Sequence, residues 1–472
     1  MRAELSQTLY GNALMSELRA SKFILSGVSP GTTKSVAHRL LLQHGYIHQE
    51  GTGLYSFLPL GQRVIDRLTR LVDIELETLG AMKVSMPTLG SKVLWEKAAR
   101  WNSMESELFK IRDRNDVEMC LQPTAEEMCT QMIAQLPLQK KRMFPLLIYQ
   151  TTEKFRDEMN PRFGLLRSRQ FLMKDLYSFD LTKEYAKHTY EKVCRVYDRI
   201  LRDRLGLEVY KVVAQPGIYG GSLSHEYHLP NPLEEDGIHF CSKQVLPFLS
   251  LFVMWPKVSD THELYLICLL LYAFAVIDSK LFVCRSGSKK EDGLYKCDHD
   301  ESAVKTFSTV EVAHTFNLGT KYSEAFGALS KNREPYEMCC FGIGISRLLP
   351  AIVSLLSPNE KAIRLPPLIA PFSAAVVVSK NLLDNVMTEL TLSSLDRRLS
   401  GGVLLDDRIE DNIGKRIKHL RQIGIPRIVV LAKTTEDTIN KVPKVEYFPP
   451  AQNPTEDSSY EWTLSEVMQS IG

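Results

Sequence analysis

Two arginines, a glutamate and a phenylalanine stand close together in the segment TEKFRDEMNPRFGLLRSRQFLMKDLYSF, which starts at Thr152: Arg156, Glu158, Arg167 and Phe171. An arginine on a rigid element suits a phosphate, because its planar fork is always charged and binds two oxygens at once. A phenylalanine nearby offers a stacking face to a nucleobase. Arg156 and Glu158 are two apart, so on a strand both face one side. Arg-x-Glu alone describes any surface hairpin with an ion pair. The whole pattern, with its loop at Glu158 to Arg167, points to a nucleotide.

Four more segments carry polar chemistry. Leu121–Glu127 (LQPTAEE) reads by itself as a helix start, with Thr124 as cap and Glu126 and Glu127 favouring the positive end of the helix dipole. Gly342–Arg347 (GIGISR) follows Cys339, Cys340 and Phe341. Its glycines allow close approach of the backbone to a ligand, and equally to a neighbouring strand. Gly220–Tyr227 (GGSLSHEY) and His314–Ser323 (HTFNLGTKYS) contain His225 and His314, either of which can be structural or functional.

These residues need elements to hold them. Tyr55–Gly61 (YSFLPLG) reads as strand or loop, then a turn. Val64, Leu68, Leu71, Val72, Leu76 and Leu79 follow at helical spacing until Gly80 stops the helix. Lys83–Met86, Pro145–Gln150 and Phe171–Phe179 read as strands, and Lys183–Leu205 as one amphipathic helix. Beyond Pro366, Pro367 and Pro371 the pattern changes. Strands at Ala374–Val378, Val403–Asp406 and Arg427–Ala432 alternate with helices near Leu382–Leu395 and Asn412–Ile423, which implies a small parallel or mixed sheet covered by helices. A boundary falls near Leu365. Lys415, Arg416, Lys418 and Arg421 crowd the second helix, as a nucleic-acid contact or as a solvated face.

The chain has 472 residues, enough for two to four domains. Its net charge of +2 excludes a histone-like protein, and 44% hydrophobic with 24% charged residues excludes wholesale disorder and a polytopic membrane protein. Nine irregularly spaced cysteines form no disulfide framework and no Cys-x-x-Cys pair, so a reducing compartment is expected. The N-terminus has no secretory pattern; Arg2, Arg19 and Lys22 are offset by Glu4 and Glu17, a poor mitochondrial presequence. The runs Leu246–Trp255 and Leu264–Ile277 are too short for a usual membrane helix. They read as buried structure, as sequence foreign to the functional chain such as a translated intron, or as a membrane segment.

Taken in order, the segments resemble a class II aminoacyl-tRNA synthetase, and within that class the prolyl-tRNA synthetases. GLYSFLPLG, the helix to Gly80 and VSMPTL are similar to motif 1, TEKFRDE with RSRQF to motif 2, and CCFGIGISR to motif 3. LQPTAEE is similar to the family's proline-recognition loop, and VLLDDR with IGIPRIVVLAK to its anticodon-binding domain. The resemblance covers residues 35–236 and 305–435. It implies an α+β fold: an antiparallel sheet flanked by helices, then a C-terminal α/β anticodon-binding domain. The expected layout is an N-terminal extension over 1–34, a catalytic domain over 35–365 interrupted by an atypical short insertion at 237–304, and the anticodon-binding domain over 366–472.

The resemblance further implies formation of prolyl-adenylate from proline and ATP, then transfer to tRNA(Pro), by a homodimer and without a membrane. Arg156 and Arg347 are then the catalytic cations, on the α- and γ-phosphates. Glu158, Arg167, Phe171 and Asn317 join them at ATP, although the family often has Gln at the position of Asn317. Thr124, Glu126, Arg156 and His225 hold proline. Asp406, Arg408, Lys415, Arg416 and Lys418 meet tRNA. Mg²⁺ bridging the phosphates is expected, with no protein cage around it. Bacterial relatives carry a large editing insertion between motifs 2 and 3. Here only residues 235–304 fill that interval, so no editing domain is expected. The compact form resembles the family's animal mitochondrial type and implies the mitochondrial matrix, with the cytoplasm as alternative. Two competing readings remain: a non-catalytic synthetase-like binding protein, and another class II ligase such as the threonyl type, which the lack of a Cys/His zinc constellation opposes.

Overall fold

The structure is a computed structural model. It describes residues 18–471 except 30, 32, 138–139, 215–216, 234–235, 242–303, 358–360, 433–443 and 451–457. Of the stretch 1–23 read as a poor presequence, residues 1–17 fall outside the described residues, as do both apolar runs, Leu246–Trp255 and Leu264–Ile277. Among the described residues no helix is long and apolar enough to cross a membrane.

In chain order, α1 (Ala20–Phe23) and α2 (Val36–Gln43) precede the hairpin β1 (Ile47–Gly51) and β2 (Leu54–Phe57). Ser35 caps α2 by accepting from the His38 N–H. The long helix α3 (Pro59–Glu77) starts on Pro59, whose missing N–H costs nothing at a first helical position. Gly61 lets that helix abut the β1 end, since a Cβ there would lie 2.0 Å from the Tyr46 carbonyl oxygen. Then come β3 (Met82–Lys83), β4 (Leu89–Ser91), α4 (Lys92–Lys97), β5 (Phe109–Arg112), β6 (Glu118–Leu121) and α5 (Glu126–Gln135). The long strands β7 (Leu146–Phe155) and β8 (Gln170–Asp180) bracket the arginine-rich loop, and α6 (Lys183–Asp198) follows.

The sheet is completed by β9 (Tyr210–Val213), β10 (Leu223–Pro230), β11 (Asp236–Cys241), β12 (Val304–Gly319) and β13 (Glu337–Gly344), with α7 (Lys321–Phe326) between the last two and α8 (Ile345–Leu356) after them. Its order is β3-β7-β8-β13-β12-β10-β9, with β11 also on β12. Every pairing is antiparallel except the short β3 beside β7. Side chains alternate faces along each strand, so the register splits the sheet into two cores. One joins Phe341, Cys339 and Ile343 to α6 and α8. The other joins Tyr177, Phe179, Phe316 and Cys340 to Ala125, Cys129 and Ile133 around α5.

The C-terminal sheet has the order β15 (Val403–Asp406), β14 (Ala374–Val378), β16 (Ile428–Leu431), β17 (Lys444–Phe448), β18 (Tyr460–Thr463), with α9 (Val386–Arg398), α10 (Ile413–Gln422) and α11 (Leu464–Ile471). β14 is parallel to β15 and β16, and β17 and β18 run antiparallel, so the sheet is mixed. Asn385 and Asn412 cap α9 and α10. Arg63 and Arg67 of α3 donate to the carbonyls of Pro367, Leu368, Pro371 and Gly401, which ties this unit to the rest of the chain.

Three expected elements are drawn differently. Only Met82–Lys83 of the first short strand pairs; beyond it the Val84 N–H donates to the Tyr149 carbonyl and the Met86 N–H to the Gln150 side chain. Strand β7 ends at Phe155, so Arg156 and Glu158 lie in a turn (Glu158 N–H to Arg156 O, 2.7 Å) rather than on one strand face. The helix from Lys183 is α-helical only to Asp198 and widens into a π-turn over Arg199–Arg204. Arg199 and Arg204 are five apart, one turn of such a helix, and each reaches a different oxygen of Glu75, at 2.5 and 2.7 Å.

Candidate active site

Both long strands project a row of side chains onto the face that carries α5: Gln150 and Lys154 from β7, then Phe171, Asp175 and Tyr177 from β8. Cys340 is opposite Tyr177 in the next strand and Phe316 is opposite Cys340, so both share that face. α5 sits over this row. Its first turn is held because Tyr177 Oη accepts from the Ala125 N–H (3.0 Å) and donates to Asp175 (2.8 Å). Asp175 also accepts from Gln150 (2.9 Å) and pairs with Lys154 (3.2 Å).

Glu126 is thereby fixed at the floor of the pocket, 1% exposed. Thr124 Oγ1 donates to its Oε2 (2.7 Å), Arg100 Nη1 reaches the same oxygen (3.0 Å), and Cys340 Sγ donates to Oε1 (3.1 Å). The Thr124 hydroxyl therefore serves a carboxylate and caps no backbone N–H; the N-cap is Ala125, without a side-chain cap. Burial works against the Glu126 charge, but Arg100, Thr124 and Cys340 outweigh it and hold this carboxyl below the usual range. Aromatic rings wall the space. Tyr219 packs on Phe316 (4.8 Å between centroids), Phe316 stacks on His314 (3.9 Å), and the Arg100 guanidinium lies 4.7 Å from the Tyr219 ring.

Next to this pocket the Arg156 guanidinium lies 5.4 Å from the Phe171 ring centroid, and its Nε is buried without a hydrogen-bond partner. A buried donor with no partner is costly, and an anion would relieve it. Glu158 and Arg167 form an ion pair (2.8 Å) across the loop mouth. The Ser346 hydroxyl accepts from the Leu172 N–H (2.7 Å), locking the start of α8 to the residue after Phe171. Arg347 follows on α8 and donates to the Glu311 carbonyl (3.0 Å). The geometry thus combines a carboxylate in an aromatic slot with an unsatisfied guanidinium, an aromatic platform and a second guanidinium at a helix start. That set suits a cationic amine with a small apolar body beside a nucleoside polyphosphate.

The structure brings Thr124, Glu126, Arg156, Glu158, Arg167 and Phe171 together, with Arg347 on the element locked to β8. It moves two others away. His225 Nδ1 is 2.7 Å from Tyr190 Oη, which also bonds Thr315 Oγ1 (2.7 Å) and packs on Phe341. His225 is therefore on the α6 face of the sheet, behind the pocket, where burial, helped by Lys211 and His314, lowers its pKa to about 4. Asn317 is opposite Cys339, whose thiol meets the Ala186 carbonyl of α6, so it shares that far face and accepts from the Gly319 N–H (3.3 Å). In the C-terminal unit Asp406 and Arg416 are also withdrawn. They form a buried pair (3.1 Å), Arg416 donates to the Val378 carbonyl (2.8 Å), and neither side chain is open to solvent. Arg408 is mostly covered and grips Asp406 (2.6 Å), whereas Lys415 and Lys418 face solvent. The residues that sequence reasoning missed are Arg100 and Tyr219, which belong to no quoted motif, and Cys340 and Phe316, which sat inside quoted segments without a role; His314 was named there without a contact assigned to it.

The sequence profile of the tRNA synthetase class II core domain (G, H, P, S and T) matches residues 109–355. A mouse protein named a probable mitochondrial proline–tRNA ligase is 36% identical over 408 residues, 84% of this chain and 78% of its own length. The chain belongs to the prolyl-tRNA synthetase family. A fission-yeast member, from Schizosaccharomyces pombe and likewise named a probable mitochondrial proline–tRNA ligase, is 33% identical over 85% of this chain and 87% of its own. The Giardia lamblia prolyl-tRNA synthetase solved with prolyl-adenylate has the same fold, with a TM-score of 0.67 at 18% identity over 93% of this chain and 76% of that one. The α+β class II core expected from the motifs is therefore the fold of this chain.

Proposed function

We propose that the chain is an ATP-dependent proline–tRNA ligase that first makes prolyl-adenylate and pyrophosphate, then passes the prolyl group to the terminal ribose of tRNA(Pro). The observation that carries the reading is the Glu126 carboxylate, held ionised by three donors in an aromatic slot on the sheet face that also presents Phe171 and Asp175. Proline's secondary ammonium pairs with Glu126 and Thr124, and its ring lies against Tyr219, Phe316 and His314. Arg156 spans the proline carboxylate and the α-phosphate, where charge develops as the carboxylate attacks. One such preorganised contact lowers the barrier by about 3–4 kcal/mol. Phe171 stacks on adenine, Glu158 and Arg167 border it, and Arg347 meets the γ-phosphate. Proline is placed by side chains that face one direction, so the attack needs positioning more than a covalent nucleophile.

His225 and Asn317 leave the proposed contacts, since both lie behind the sheet. Glu226, Glu311 and His314 bring ligand atoms within 4.8 Å of one another, but Glu226 is bonded to His228, and His314 to Glu311 and Ser224, and an imidazole suits Mg²⁺ poorly. Mg²⁺ would instead be held by the phosphates and its own waters, where it would neutralise phosphate charge. For tRNA, Lys415, Lys418 and the partly covered Arg408 remain; Asp406 and Arg416 act as structure. Pairing of two copies through the segment around α3 and β3 belongs to the same proposal, as does a mitochondrial location, supported by the names of the mouse and fission-yeast relatives. A reporter fusion that stains the cytosol diffusely would contradict that location.

Glu126→Ala is the direct test. It is expected to abolish proline-dependent ATP–pyrophosphate exchange, by 100-fold or more on the order-of-magnitude scale of a lost buried charge pair, while ATP still binds. Exchange at the wild-type rate would overturn the reading.

A further inference from the structure

Arg100 belongs to no motif of the sequence reading, yet it is the most enclosed cation of the pocket, 1% exposed. It lies just after α4, and Nη1 reaches Glu126 Oε2 (3.0 Å) and Glu127 Oε1 (2.9 Å) at once. Its guanidinium is stacked among Tyr219 (4.7 Å), Trp95 (5.1 Å) and Tyr322 (5.9 Å), and Nη2 ends on Met104 Sδ (3.0 Å). Three rings and a thioether leave that fork one orientation.

Two neighbouring buried carboxylates cannot both stay ionised without a compensating cation. One guanidinium is shared between them, and the two are not treated alike. Glu126 gains Thr124 and Cys340 as further donors. Glu127 gains no such set, and its Oε2 has no hydrogen-bond partner. Burial therefore raises the Glu127 pKa against the pull of Arg100 and with the push of Glu126, while Glu126 stays low. The asymmetry decides which carboxylate offers the negative charge to an incoming ammonium.

We propose that Arg100, acting with Glu127, is a positioning residue for amino-acid recognition: its shared contact keeps Glu126 ionised and fixes the oxygen that faces a secondary ammonium. A purely structural Arg100 would merely pin α4 to α5, and its loss would disturb proline and ATP parameters together. The proposal predicts a split between them. It rests on the reading of the pocket as a proline site, and the two can fail separately. Exchange by the wild-type protein with a different amino acid would remove proline but leave the clamp to be tested with that amino acid.

The experiment measures KM for proline and for ATP, and kcat, in ATP–pyrophosphate exchange for Arg100→Met, Arg100→Lys, Glu127→Gln and the Arg100→Met/Glu127→Gln double variant. Arg100→Met is expected to raise KM for proline by about 30-fold or more and KM for ATP by less than about 3-fold. Arg100→Lys, which keeps the charge but loses the fork, falls in between. Adding Glu127→Gln to Arg100→Met removes the rival carboxylate and recovers at least about 5-fold in KM for proline, a non-additivity that a structural role would not produce. If Arg100→Met does not fold by circular dichroism, Arg100→Lys carries the test. An unchanged proline KM in Arg100→Lys would then overturn the proposal, as would equal losses for both substrates or a double variant no better than Arg100→Met.

Discussion

Thr124, Arg100 and Cys340 leave the Glu126 carboxylate one orientation, whereas the carboxylate of Asp406 is locked by arginines for another purpose. Arg408 and Arg416 overcome burial and hold Asp406 below its usual range. Its folded pKa lies under the unfolded value, so its contribution to stability is present above about pH 4 and is lost as pH falls through the folded pKa. Asp406→Asn leaves Arg416 buried without its anion and is expected to cost about 3–5 kcal/mol at pH 7. The same variant flattens the acid limb of stability below about pH 4, and urea melts across pH check both outcomes. The wild-type and variant slopes being identical in acid would refute the assignment. At this scale the sequence was legible where chemistry is dense: Thr124, Glu126, Arg156, Phe171 and Arg347 stand in compact motifs. It was misleading where facing decides. His225 follows pocket-facing Ser224 by one residue, and a strand turns its back with every residue. Arg416 shares the inward face of α10 with Leu420 at i+4, which a count of basic residues does not see.

At the scale of elements, the site depends on α3 and β1 meeting closely and on α5 seated over the sheet. A Cβ at Gly61 would lie 2.0 Å from the Tyr46 carbonyl oxygen, and the obstacle is backbone, which cannot rotate away. Gly61→Ala is therefore expected to cost about 2–3 kcal/mol, the upper part of the overpacking range, despite the better helix propensity of alanine. A lower urea midpoint with unchanged slope is the predicted signature; an equal or higher midpoint would contradict it. Helical spacing from Val64 to Leu76 showed α3 plainly, and the strands at 374–378 and 403–406 coincide with the expected ones. The end of β7 at Phe155 and the π-turn at Arg199–Arg204 were not legible. The first is set by the pull of the loop across to Arg169, whose carbonyl accepts from the Arg156 N–H, and the second by Glu75, which is distant in sequence.

At the scale of the whole molecule, motif order was the most informative signal, because motifs 1, 2 and 3 land on different elements built around one sheet, motif 2 as its long strands and motifs 1 and 3 with helices packed behind it. The mixed C-terminal sheet docks through Arg63 and Arg67, whose acceptors are backbone carbonyls that no residue pattern marks. Only residues 235–304 stand where the large insertion would lie between motifs 2 and 3, and an apolar slot discriminates poorly against a smaller apolar side chain. The pure protein is expected to leave mischarged alanyl-tRNA(Pro) intact over the time in which it charges proline; release of alanine from that substrate would refute this. The central claim is tested most directly by ATP–pyrophosphate exchange with the purified protein and each of the twenty amino acids in turn. The account predicts exchange driven by proline, with at most weak exchange from alanine. Exchange driven by another amino acid, or none at all from folded protein, would contradict it.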